Sequence, residues 1–153
     1  MRQMKIGDLL HPDQVIAGLR VSDKTQLTAE LSRRAAAALQ MPLKPVEAAL
    51  TARERLGSTG LGRGFALPHA RMGQLDHFFG LFARLARPID FDAIDERPVD
   101  LVFLLLIPES AGSKQVAALA AISRRMRDQA FVQRLRKAAS AEAMYAVLTD
   151  AEA

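Results

Sequence analysis

Seven consecutive apolar residues, Leu101 to Ile107 (Leu-Val-Phe-Leu-Leu-Leu-Ile), carry no polar position between them. A strand reads this way only where neither face meets water, so Asp100–Pro108 is expected to form the centre of a sheet covered on both sides. Val15–Val21, by contrast, alternates through Val15, Ala17 and Leu19, the pattern of a strand with one buried face. A further strand is expected from His77 or Phe78 to Ala86, ending in a turn at Arg87-Pro88, and a short one at Gly64–Leu67. Between and after these runs the period changes to that of helices. Ser22 or Asp23 caps a helix to about Leu39 whose apolar face carries Leu27, Leu31 and Ala35. Pro45 opens a second helix that continues to Leu56 and is stopped by Gly57. Residues 4–11 read as a short helix or turn, with His11 a surface residue at its end. Helices are also expected at about Ser113–Arg127, Gln129–Ala138 and Ala141–Leu148. A sheet buried on both faces needs helices on both faces, so the expected architecture is α/β. It is expected to be one layered domain over residues 1–153, with a mixed, mostly central sheet of about five strands.

Between the second helix and the central strand lies Gly57–Arg71, Gly-Ser-Thr-Gly-Leu-Gly-Arg-Gly-Phe-Ala-Leu-Pro-His-Ala-Arg. Four of the chain's nine glycines fall within eight residues here, which suits a backbone that comes close to something. Pro68 then fixes φ immediately before His69 and holds Leu67 extended, so the imidazole leaves the segment in a defined direction. A histidine in this setting can bind metal, move protons or act as a nucleophile. The chain has no cysteine, and its other histidines, His11 and His77, lack close ligand spacing, so no metal site is expected. No Gly-x-Ser-x-Gly elbow supports a serine triad with Ser58. The glycines follow a helix and precede a strand, the reverse of a dinucleotide-binding turn, and no P-loop lysine is present. What remains is a nucleophilic imidazole beside groups that suit an anion: Ser58, Thr59, and the arginines Arg53, Arg55 and Arg63.

Composition changes little. A hydrophobic fraction of 50% with 25% charged residues is ordinary for a folded globular chain of 153 residues. Asp8, His11, Pro12 and Asp13 interrupt any secretory signal, and the longest apolar run falls far short of the roughly 20 residues of a membrane helix. No membrane insertion is expected, and a cytoplasmic location is. The net charge of +4 permits nucleic-acid binding. The arginines of the C-terminal helices lack interleaved aromatics, however, and read as a solvated face, so no nucleic-acid partner is expected.

Residues 53–69, Arg-Glu-Arg-Leu-Gly-Ser-Thr-Gly-Leu-Gly-Arg-Gly-Phe-Ala-Leu-Pro-His, resemble the phosphorylation-site signature of enzyme IIA domains of the phosphoenolpyruvate:sugar phosphotransferase system, in the mannitol/fructose class. The likeness extends more loosely over nearly the whole chain and is greatest to the nitrogen-regulatory branch of that family. The resemblance implies a phosphoryl carrier in which His69 takes a phosphoryl group from an HPr-like phosphocarrier without any cofactor. It implies a phosphate pocket formed by Arg53, Ser58, Thr59, Gly60 and Arg63, with Gln115 at a position where many members carry a second histidine. Gln115 cannot become a cation. It further implies regulation of partners such as potassium-transport components or sensor kinases. A sugar-specific member that passes phosphate to a IIB protein is the alternative.

Overall fold

The structure is a computed structural model and describes residues 3–150. Its centre is β6 (Val99–Pro108), in which every residue except Asp100 is buried. β5 (Phe79–Ile89) runs antiparallel along one side of β6, and β1 (Leu10–Leu19) lies parallel to β5 at the sheet edge. On the other side β3 (Phe65–Ala66) and β4 (His69–Met72) both pair with β6 in parallel. Phe65 stands opposite Leu101 and His69 opposite Leu105, so the two are one line of chain interrupted at Leu67-Pro68. The ladder survives the interruption because the Pro68 carbonyl accepts from the Leu105 amide (3.0 Å), while the Leu67 amide turns to Thr59 (2.9 Å). β2 (Gly60–Gly62) closes the order antiparallel to β3.

Alternate residues of β6 serve two cores. Val102, Leu104 and Leu106 pack with α1 (Lys24–Leu39) and α2 (Leu43–Arg55). Leu101, Phe103, Leu105 and Ile107 pack on the opposite face with α3 (Lys114–Met126), α4 (Gln129–Lys137) and α5 (Ala141–Thr149). Phe82 meets Phe103 edge to face in this second core, with centroids 6.3 Å apart. Burying each such side chain contributes about 1.5–3 kcal/mol, which accounts for a seven-residue apolar run in a water-exposed world. The mixed sheet with helices on both faces is the arrangement that the run implied.

Several boundaries differ from expectation, each for a local reason. β1 begins at Leu10, not Val15, and contains His11 and Pro12. An edge strand tolerates a proline, and a register shift between Leu10 and Val15 hides the alternation. The only helical structure in residues 4–11 is the 3₁₀ turn Ile6–Asp8. Arg87-Pro88 is not a turn: β5 continues to Ile89, which pairs with Val99 after a second register shift. Residues 86–88 are exposed there, so the missing proline N–H costs no ladder bond. The sheet has six strands because the glycine segment contributes β2, β3 and β4 separately. The acidic connection after β5 is exposed at its charged positions, but Phe91 and Ala93 are buried and tie it to the α1/α2 core.

Arg84 of β5 crosses to the end of α4, where its Nη1 donates to the carbonyls of Leu135 (2.9 Å), Arg136 (3.2 Å) and Ala138 (2.7 Å). Terminal helix carbonyls have no partner within their own helix, so one guanidinium replaces the missing turn. Arg84→Met keeps the stem and removes the donors. A loss of about 2 kcal/mol is expected, read as a lower urea midpoint with an unchanged slope.

Candidate functional site

α2 ends beside the glycine segment, and its last turn supplies two anchors. Arg53 Nη1 donates to the Gly57 carbonyl (2.9 Å). Glu54 reaches forward to Thr59, accepting from its amide (3.0 Å) and its hydroxyl. The Glu54 carboxylate is also 2.7 Å from Lys24 Nζ, at the start of α1, and Lys24 in turn lies 4.5 Å over the Phe91 ring. Thr59 is 2% exposed, so this is a buried knot rather than a surface ion pair. Ser58 donates to the Phe91 carbonyl (3.0 Å) and accepts from the Gly60 amide (3.0 Å). Both hydroxyls therefore fix the loop to its surroundings. At Gly60 the loop comes against backbone: a Cβ would lie 2.9 Å from the Ala93 Cα, so only glycine fits.

Beyond this anchored loop, Pro68 delivers His69 at the start of β4, half-buried. Its Nδ1 is 2.8 Å from the Leu67 carbonyl. A carbonyl only accepts, so Nδ1 carries the hydrogen and Nε2 keeps the lone pair. Among the described residues Nε2 has no hydrogen-bond partner. Burial pushes the His69 pKa below the ordinary 6.5; the Leu67 carbonyl opposes this, the Arg53 charge adds to it and Glu54 works against it. The imidazole is consequently neutral and nucleophilic at neutral pH. The other two histidines are exposed, His11 on β1 and His77 against Asp76.

Gln115 sits in the first turn of α3, where its Oε1 accepts from Arg71 Nε (2.6 Å). Arg71 is two residues beyond His69 on β4, and strand alternation gives both the same face. Sequence reading passed over Arg71; a period of two counted from His69 would have found it. Arg63 goes elsewhere. It occupies the β2–β3 turn with φ 58°, its amide donates to Asp95 (2.8 Å), and its guanidinium donates to the Arg127 carbonyl (3.3 Å). The adjoining Gly64 carbonyl accepts from Asp100, whereas His69 is level with Leu105. At roughly 3.3 Å per residue that separation is about 16 Å. The site thus gathers His69, Arg53, Arg71 and Gln115 over a loop fixed by Ser58, Thr59 and Gly60, with Arg63 at the far end of the ladder. No group of three His, Asp or Glu side chains converges to hold a metal ion among the described residues, and no helix there is long and apolar enough to cross a membrane.

Residues 8–151 match the family described as "Phosphoenolpyruvate-dependent sugar phosphotransferase system, EIIA 2". The chain belongs to this EIIA family. It is similar to a nitrogen regulatory protein of Bradyrhizobium diazoefficiens, 46% identical over 145 residues that make up 95% of each chain. Among solved structures, the nitrogen regulatory protein IIA-Ntr of Neisseria meningitidis superposes with a TM-score of 0.89 at 34% identity, covering 94% of this chain and 98% of that one. IIA mannitol of Escherichia coli shares the fold at 16% identity, with a TM-score of 0.74 over 90% of this chain and 97% of that one. Membership of this EIIA family implies a phosphotransfer carrier role, and in this EIIA chain His69 Nε2 has no hydrogen-bond partner among the described residues.

Proposed function

We propose that this EIIA protein is a phosphoryl carrier of a nitrogen-regulatory phosphotransferase chain, accepting its phosphoryl group on His69 Nε2 from an HPr-like phosphocarrier. The observation that carries the reading is the bond from His69 Nδ1 to the Leu67 carbonyl, which fixes the tautomer and turns the lone pair outward. As the Nε2–phosphorus bond forms, the bond from phosphorus to the donor imidazole breaks, its electron pair returns to the donor nitrogen, and Nδ1 keeps its hydrogen throughout. Phosphoryl transfer asks the protein for position and charge rather than covalent help. Arg53 stands beside the ring for that purpose, and the anchored glycine segment keeps the approach rigid. A protein donor is favoured by two exposed apolar side chains near the site, Leu56 (84%) at the end of α2 and Val116 (71%) next to Gln115. The nitrogen assignment is supported by the relatives' names and by matches that cover 95% and 94% of this chain. A cytoplasmic carrier of this kind regulates by state, since a dianion added to this face changes which partners dock. Potassium-transport components or sensor kinases are such partners, to be compared in pull-downs with native protein and His69→Asp.

The test is incubation with phosphoenolpyruvate, enzyme I and an HPr-like carrier, followed by intact mass and acid lability. One acid-labile phosphoryl group per chain is expected; an unlabelled protein overturns the reading. The pH profile is a second measurement. A protonated imidazole has no lone pair, so acceptance should fall as pH drops through the His69 pKa, and burial sets that fall below 6.5. A midpoint above 6.5 would contradict the cause assigned here.

A further inference from the structure

Four guanidinium groups pair with a carboxylate, Arg33 and Arg34 with Glu30, Arg134 with Asp150 and Arg136 with Asp100, whereas Arg63 and Arg84 are held by carbonyls. The two beside His69 are of the second kind. Arg53 is held by a backbone carbonyl and Arg71 by an amide oxygen, and both anchors are neutral. Arginine can only donate, so the atom of Gln115 facing Arg71 is its oxygen, and the side-chain NH₂ remains a donor. One of the five guanidinium N–H groups of Arg71 is used, and its four terminal N–H groups have no partner among the described residues. A neutral tether fixes direction without cancelling charge.

The direction is set by the sheet. Ala70 and Met72 enter the core with α1 and α2, so His69 and Arg71 point to the opposite face, toward the first turn of α3. Alternate positions on a strand are about 7 Å apart, within reach for a long guanidinium to meet a group on the neighbouring side chain. The start of α3 adds the partial positive charge of a 13-residue helix on the same side.

Resting on the carrier function proposed above, we infer that Arg71 is a phosphate-binding residue, its terminal N–H groups contacting the phosphoryl oxygens on His69, and that Gln115 is its positioning residue. The ligand is the phosphoryl dianion itself, clamped between Arg53 on the α2 side and Arg71 on the α3 side.

Three variants test it by single-turnover acceptance from phosphorylated carrier and by the lifetime of the phosphorylated form. Arg71→Gln is expected to slow acceptance about 10²–10³-fold, the scale of a lost transition-state donor, with Arg71→Lys recovering part of it. Gln115→Glu is the discriminating change: it keeps the hydrogen bond but neutralises the arginine, and should slow acceptance similarly while thermal stability is held or raised. If Gln115→Glu accepts as fast as native protein, the charge of Arg71 is not used and the inference is wrong. Native protein that takes no phosphate from any carrier would defeat the carrier reading alone. A titration of inorganic phosphate followed at the Arg71 Nε resonance then decides: a shift abolished in Gln115→Glu supports the clamp, and an unmoved resonance overturns it.

Discussion

His69→Gln is expected to fold normally and to accept no phosphoryl group under conditions that label the native protein fully. The imidazole contributes little to the fold: its ring is half-buried, its one hydrogen bond runs to a carbonyl two residues back, and the surrounding loop is held by Glu54, Ser58 and Phe91 instead. Glutamine is close enough in size to occupy the space, yet its amide nitrogen has no available lone pair, so the nucleophile is removed and nothing else. Rate losses for removing a covalent nucleophile are far larger than for removing a supporting donor, on the order of 10⁴ or more against 10²–10³. Intact mass under alkaline conditions reads the outcome directly. Label on the variant would move the acceptor to His11 or His77, both exposed. An unlabelled variant with a native melting curve would leave Nε2 of His69 as the acceptor.

How much of this was legible beforehand depends on whether a feature is decided locally. β6 was readable because a run of seven buried residues has one explanation, and α1 was readable because Asp23 caps it, accepting from the Gln26 amide at 2.8 Å. β2, β3 and β4 were not separable, since strands of two to four residues around glycine have too few positions to show a period and exist through pairing with β6. The same division runs through the site. The aim of His69 follows from its neighbour Pro68. The hydroxyls of Ser58 and Thr59 looked available for an anion, but Phe91, 33 residues away, and a carboxylate in the preceding helix claim them. Arg63 and Arg71 show the difference most clearly. Both are near His69 in sequence, but a turn at positive φ sends Arg63 to the far end of the ladder, whereas strict strand alternation keeps Arg71 on the imidazole's face.

Gly80→Ala should destabilise the protein severely while leaving the chemistry of its folded fraction intact. Gly80 lies in the row Leu10, Gly80, Leu105, His69, where β1, β5, β6 and β4 stand side by side. A Cβ there would sit 2.3 Å from the Leu9 carbonyl oxygen and 3.1 Å from Phe103 Cε1. The first obstacle is backbone, so it cannot rotate aside; relief requires the start of β1 to move away from the sheet. Leu9 and Leu10 are both buried, at 4% exposure each, and the move would open the α3–α5 core at that corner. Overpacking of this kind costs about 3 kcal/mol, and for a chain of this size that corresponds to roughly 6–12 °C in melting temperature. Gly7→Ala is the control, since its added carbon would meet Thr149 at an ordinary 3.7 Å and should change stability by less than about 1 kcal/mol. Only β6 stands between Gly80 and the imidazole: the strain falls on the β1 side of β5, and β6 is locked into both cores. Phosphoryl acceptance at low temperature should therefore match native protein, and a matching loss of rate would mean that strain crosses β6 to reach β4.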